Sequence, residues 1–157
     1  MQISELLDPA RIGCHQEISS KKRTIEILAE LLASALPDFT AGEVFDSLIS
    51  RERLGSTGLG NGVALPHGRV AGLKEPVAAL ITLMSGVDFD AVDNKPVDIL
   101  FALLVPEEST DEHLQILARL AAMFRNREFC EKLCNSNDPE QCYRLINQTE
   151  SDQSLTA

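Results

Sequence analysis

The sequence predicts a single α/β domain in which helices cover a central sheet. Two amphipathic helical stretches come first, two uninterrupted apolar runs follow, and further helical stretches close the chain. Helix, helix, strands, helices in that order is a pattern that gives a sheet its cover. The length of 157 residues lies within the size of one domain and suffices to bury a substantial core.

The first helix is expected over Lys21 to Leu36, where Ile25, Leu28, Ala29, Leu32 and Leu36 fall on one face. A capping box, Thr40 to Glu43, opens a second helix through Val44, Phe45, Leu48 and Ile49 that stops near Gly55. Val77 to Met84 and Val97 to Val105 have the length and β-branched content of buried strands. Asp93-Asn94-Lys95-Pro96 supplies the turn before the second of them. A further capping box, Ser109 to Glu112, starts a helix whose expected apolar face is Leu114, Leu117, Leu120, Ala121 and Phe124. Shorter helices are expected from about Glu128 and from Pro139. Neither a repeat nor a linker divides the chain, so residues 1–150 are expected to form the domain and 151–157 a frayed, flexible tail.

Composition narrows the function. An excess of 24 acidic over 14 basic side chains leaves a formal charge of −10, which argues against nucleic acid as a partner. No apolar run approaches the roughly 20 residues that cross a bilayer, and the start of the chain, with Glu5 and Asp8, lacks the basic opening of a secretory signal. The expected location is the cytoplasm, without membrane insertion. Cys14, Cys130, Cys134 and Cys142 form no close C-x-x-C pair, so they are read as small hydrophobes kept reduced, and no metal site is expected. His15, beside Cys14, belongs to a polar stretch before the first helix and is read as a surface residue.

The chemistry concentrates in residues 55–68. Gly55, Gly58, Gly60 and Gly62 surround Ser56 and Thr57, and the segment then runs through Val63-Ala64-Leu65-Pro66 to deliver His67 before Gly68. Glycines leave backbone N–H groups able to approach an anion closely. A neutral imidazole offers a lone pair near physiological pH without a strong base to expose it. Together these suggest phosphoryl transfer through His67, against the plain alternative of a satisfied histidine at a strand end. The loop lacks the dinucleotide fingerprint spacing and no Gly-Lys-Ser/Thr follows, so neither ATP nor NAD is expected, nor any other cofactor.

The loop and His67 resemble the phosphorylated-histidine motif of the mannitol/fructose class of enzyme IIA domains of the bacterial phosphotransferase system. The resemblance extends to Arg51-Glu52-Arg53-Leu54, to Asp93-Asn94-Lys95-Pro96-Val97-Asp98 and the run ending Val105-Pro106, and to His113-Leu114. Ser19-Ser20-Lys21-Lys22-Arg23 looks more like the nitrogen-regulatory branch than the sugar-transporting one. Residues 3–148 share the likeness. Arg69 departs from the lysine frequent in that branch and keeps its positive charge.

The resemblance implies a mixed central sheet with helices on both faces. It also implies that His67 accepts a phosphoryl group, with the tele nitrogen a candidate, from an HPr-like phosphocarrier charged through an enzyme I relay. His113, in a helical first turn where free N–H groups and the dipole favour an anion, would then stabilise the phosphate. Taken alone, it reads as a polar residue on an exposed first turn. Arg51, whose guanidinium can hold two phosphoryl oxygens, would balance charge; taken alone, it is a solvated last-turn residue. Ser56, Thr57 and Arg69, with Arg53, are auxiliary candidates, although a Gly/Ser/Thr loop also simply makes a turn. Regulatory targets implied by the family include potassium transporters and sensor kinases. Three other readings stay open: a sugar-specific IIA that passes phosphate to a IIB cysteine for fructose or mannitol uptake, a non-catalytic binding module, and a metal-dependent hydrolase using His67 and His113, which lacks evident carboxylate co-ligands.

Overall fold

The computed structural model describes residues 2–108 and 110–156. A six-stranded mixed sheet lies between two helical layers among these residues. In chain order the elements are α1 (Ile3–Leu6), a 3₁₀ turn (Pro9–Arg11), β1 (Ile12–Gln16), α2 (Lys21–Ala33), α3 (Ala41–Glu52), β2 (Gly58–Gly60), β3 (Val63–Ala64), β4 (His67–Val70), β5 (Val77–Val87), β6 (Val97–Pro106), α4 (Thr110–Phe124), α5 (Arg127–Cys134) and α6 (Pro139–Thr156). The sheet order is β1-β5-β6-β3-β2, with β4 also paired to β6.

The two apolar runs form the central antiparallel pair, with Leu80 opposite Phe101 and Ile81 opposite Leu100. Both strands are buried on both faces because helices cover each side, so their residues read as continuous apolar runs. One face of the sheet packs Leu80, Phe101 and Leu103 against α4, α5 and α6. The other packs Ile81, Ala102 and Leu104 against α2 and α3. Each such fully buried Leu, Ile or Phe contributes about 1.5–3 kcal/mol relative to exposure.

Helix α3 starts with the expected capping box: the Thr40 hydroxyl accepts from Glu43 N, and the Glu43 carboxylate accepts from Thr40 N. Helix α2 ends at Ala33, short of Leu36; the chain turns there, yet Leu36 still packs on the core. Ser109, the proposed cap of α4, lies outside the described residues. In α4 Leu120 and Phe124 are buried as expected and Leu117 packs against the core, but Leu114 is 62% exposed, and His113, Ile116 and Met123 complete the buried stripe. The three- and four-residue spacing is kept, but it starts from the histidine.

Three further differences have physical reasons. The polar stretch around His15 is strand β1, an edge strand held parallel to β5. His15 is half-buried, not a surface residue: its backbone N–H bonds Thr82 Oγ1 at 3.0 Å and its Nε2 lies 2.7 Å from the Cys134 carbonyl. The apolar segment before His67 is a hairpin, in which Asn61 (φ 56) and Gly62 (φ 84) form a two-residue turn between β2 and β3. Positive φ at both positions is what an Asn-Gly turn supplies. Finally, the expected tail 151–156 is helical backbone continuous with α6. Cys142, Ile146 and Glu150 anchor the preceding turns in the core, and once a helix is nucleated each added residue gains a bond.

The four cysteines are free, with Cys142 buried and the others half-buried. Burial pushes the Cys130 thiol up to about 11 and those of Cys134 and Cys142 to about 12. Cys14 and Cys142 bring their sulfurs within 3.4 Å. No helix among the described residues is long and apolar enough to cross a membrane.

Candidate functional site

Strand β6 is the ruler for the site. Its first half pairs in parallel with β3, Val63 opposite Ile99, and its second half with β4, His67 opposite Leu103. Between the two, Pro66 interrupts β pairing, because it has no N–H, while its carbonyl still accepts from Leu103 N at 2.9 Å. The alternation of side chains along β4 sends His67 toward the α4 face and Gly68 toward α3. A Cβ at Gly68 would come within 3.1 Å of the Ser47 carbonyl oxygen, so glycine here permits the close approach of β4 to α3.

His67 is half-buried and its Nδ1 lies 2.8 Å from the Leu65 carbonyl oxygen. A carbonyl only accepts, so Nδ1 carries the proton and Nε2 keeps its lone pair. The His113 ring meets it edge-on, with centroids 5.2 Å apart and planes at 74°. His113 is 5% exposed, and its buried Nδ1 has no hydrogen-bond partner among the described residues.

Both imidazoles are held neutral. Burial lowers the His67 pKa; Arg51 and Arg69 push the same way, and the bond to Leu65 and the charge of Glu52 oppose them. For His113, burial first, and then His67, Arg69 and Arg51, push the value down to about 4. Arg51, Arg69, His67 and His113 all line one open cleft of about 600 Å³ between the end of α3 and the start of α4. A second cleft, lined by Leu59, Leu65, Val92 and Leu117, also reaches Arg51 and His67. Two neutral imidazoles, with Nε2 of His67 bare, and two guanidiniums in one cleft suit an incoming dianionic group.

Not every predicted residue is free for that work. The Ser56 hydroxyl donates to the Phe89 carbonyl at 2.7 Å, and Thr57 donates both its hydroxyl and its N–H to Glu52. Gly58 N–H bonds Ser56 Oγ at 3.0 Å. These groups stabilise the loop itself, so the expected cradle of open amides and hydroxyls is largely closed. Arg51 donates one Nη1–H to the Gly55 carbonyl at 2.8 Å and keeps its other donors. Arg53 is exposed and does not line the cleft beside His67.

Glu52 escaped the sequence reading, where it figured only inside a motif. It is a 6% exposed carboxylate on α3, and it continues the stripe Val44, Leu48 at four-residue spacing. An acidic residue on an apolar stripe is the signal that marks it. Among the described residues no group of three or more His, Cys, Asp or Glu side chains is arranged to hold a metal ion.

Comparison with known proteins identifies the family and the fold. Residues 5–149 match the model of the family described as phosphoenolpyruvate-dependent sugar phosphotransferase system, EIIA 2. A nitrogen regulatory protein of Pseudomonas aeruginosa is 42% identical over 146 residues, spanning 93% of this chain and 95% of its own length. The crystal structure of the nitrogen regulatory protein IIA-Ntr of Neisseria meningitidis superposes with a TM-score of 0.86 at 42% identity, covering 92% of this chain and 98% of that one. IIA mannitol of Escherichia coli shares the fold, with a TM-score of 0.74 at 20% identity over 89% of this chain and 98% of that one.

Proposed function

The chain belongs to the EIIA 2 family of the phosphoenolpyruvate-dependent sugar phosphotransferase system, and from that premise we propose that it is a cytoplasmic regulatory enzyme IIA, phosphorylated on Nε2 of His67. The donor is an HPr-like phosphocarrier, and partner proteins read the phosphorylation state. The observation that carries the reading is the 2.8 Å contact from His67 Nδ1 to the Leu65 carbonyl. It assigns the ring proton to Nδ1 and leaves a nucleophilic Nε2 in a cleft with two arginines.

In the transfer, the Nε2 lone pair forms a bond to phosphorus as the bond to the donor's leaving atom breaks. No proton has to leave Nε2 first. Arg51 and Arg69 balance the phosphoryl charge, and His113 stabilises it from the core-facing side of α4. Much of the catalysis is therefore positioning and charge neutralisation by groups already in place.

The higher identity to nitrogen regulatory proteins than to the mannitol structure favours regulation over sugar uptake. Potassium transporters and sensor kinases are the partner classes to test. A phosphate on His67 adds about −1.5 to −2 charge, enough to create or disrupt a contact there.

Intact-mass analysis after incubation with enzyme I, an HPr-like carrier and phosphoenolpyruvate tests the reading. Addition of one acid-labile phosphoryl group that is lost in His67→Ala supports it. A native chain left unmodified by competent carriers from both the nitrogen and sugar branches removes it, and leaves a binding module.

A further inference from the structure

We propose that Glu52 is a positioning residue that fixes the tautomer and orientation of His67 through Thr57 and Leu65; its kinetic consequence rests on the phosphoryl-acceptor reading above. The Glu52 side chain is 2% exposed, and a carboxylate so buried requires partners for its charge and its lone pairs. It has them. Lys21 Nζ approaches to 3.0 Å from the first turn of α2, Thr57 N–H donates at 2.9 Å, and the Thr57 hydroxyl donates as well.

The connection continues toward the histidine. The Thr57 carbonyl accepts from Leu65 N at 3.0 Å, and the Leu65 carbonyl is the acceptor 2.8 Å from His67 Nδ1. Thr57 and Leu65 sit at the open end of the β2–β3 hairpin, just outside the Gly58–Ala64 pair. At the turn end Asp93 accepts from Asn61 N at 2.9 Å. Two carboxylates therefore grip the hairpin, and the one at its base aims the carbonyl that selects the ring tautomer. Such an outer partner fixes both which nitrogen carries the proton and where the other points.

Glutamine cannot substitute. Its size stays the same, but it loses the charge that pairs with Lys21, and its amide can meet Thr57 only if the hydroxyl reverses to accept, so the grip on the Thr57 backbone weakens. Thr57→Val removes the hydroxyl bond and keeps the N–H one, and Thr57→Ser restores the hydroxyl.

Long-range ¹H–¹⁵N correlation spectra of the unphosphorylated protein near neutral pH report the tautomer directly. Wild type is expected to show His67 protonated at Nδ1 and bare at Nε2. Glu52→Gln and Thr57→Val are expected to show a mixture of tautomers, and Thr57→Ser the wild-type pattern. Single-turnover phosphorylation by the HPr-like carrier should slow on the order of tenfold in the first two variants, with the half-saturating carrier concentration unchanged. The wild-type tautomer pattern in both Glu52→Gln and Thr57→Val overturns the proposal, as does a loss confined to half-saturation. If Glu52→Gln fails to fold, the two Thr57 variants decide the matter. A native protein that takes up no phosphoryl group removes the acceptor reading instead, and a tautomer shift in the variants still supports the positioning role.

Discussion

At the scale of single residues, the two histidines set the pH behaviour. Burial lowers His113 to about 4 in the fold, whereas an unfolded chain binds that proton near the ordinary 6.5. The unfolded state thus holds more protons between those values, so stability falls as pH drops through this window and is complete above it. His113→Phe, which keeps a ring on the buried stripe, should make the urea midpoint less sensitive to pH there, by about 1–3 kcal/mol across the window. Equal slopes in the two proteins would refute this origin. His67 is lowered in the same direction, so the acid limb of the pH profile of the proposed phosphoryl acceptance should have its midpoint below 6.5. His113→Ala should slow acceptance by about tenfold or more, because it removes an aligned group from the phosphoryl site. The sequence made His67 legible through its unusual loop. It hid Glu52, since a motif position says nothing about burial until the stripe Val44, Leu48, Glu52 is drawn on the helix.

At the scale of elements, contacts between layers carry the site. Gly68→Ala should drive a wedge between β4 and α3: the Ser47 hydroxyl, the nearest atom, can rotate away, but the Ser47 backbone atoms at 3.1 and 3.2 Å cannot. A loss of about 1–3 kcal/mol in denaturant unfolding is expected. Glu150 ties the two ends of the chain: its carboxylate accepts from Ile3 N and Ser4 N and pairs with Arg119 at 3.8 Å. Glu150→Ala leaves those buried amides without acceptors and should cost about 1–3 kcal/mol, with faster hydrogen exchange confined at first to α1. Long periodic segments were legible: α2, α3, β5 and β6 follow from spacing and apolar runs. Short ones were not. Strand β1 mixes Gly, Cys, His and Gln because an edge strand need not be apolar on both faces, and β2 and β3 are too brief to show a period, although Asn61-Gly62 is itself a hairpin signal.

At the scale of the whole molecule, the proposed phosphorylation of His67 would change a chain of formal charge −10 only modestly by adding about −1.5 to −2. The distant field barely alters, since charges are screened beyond about 8 Å at physiological salt. A partner that senses the modification must therefore sit on the His67 cleft. On the proposed function such a partner and the HPr-like carrier would compete, and titrating unphosphorylated carrier into a labelled complex should displace it; simultaneous binding without mutual weakening would refute the shared surface. Moving a partner from 1:99 to 99:1 takes about 5.5 kcal/mol of differential binding. A single phosphate that shifts affinity about 10- to 100-fold supplies roughly half of that or less, so the response should be graded and follow the ratio of the two forms.

The arrangement of β3 and β4 on one shared strand also limits how this protein can vary in length. Both short strands take their register from β6, and His67 stands only three residues after the last residue of β3. One residue inserted between Ala64 and His67 would turn the imidazole to the α3 side or bulge the chain away from its partner. The distance from hairpin to histidine is therefore fixed to the residue.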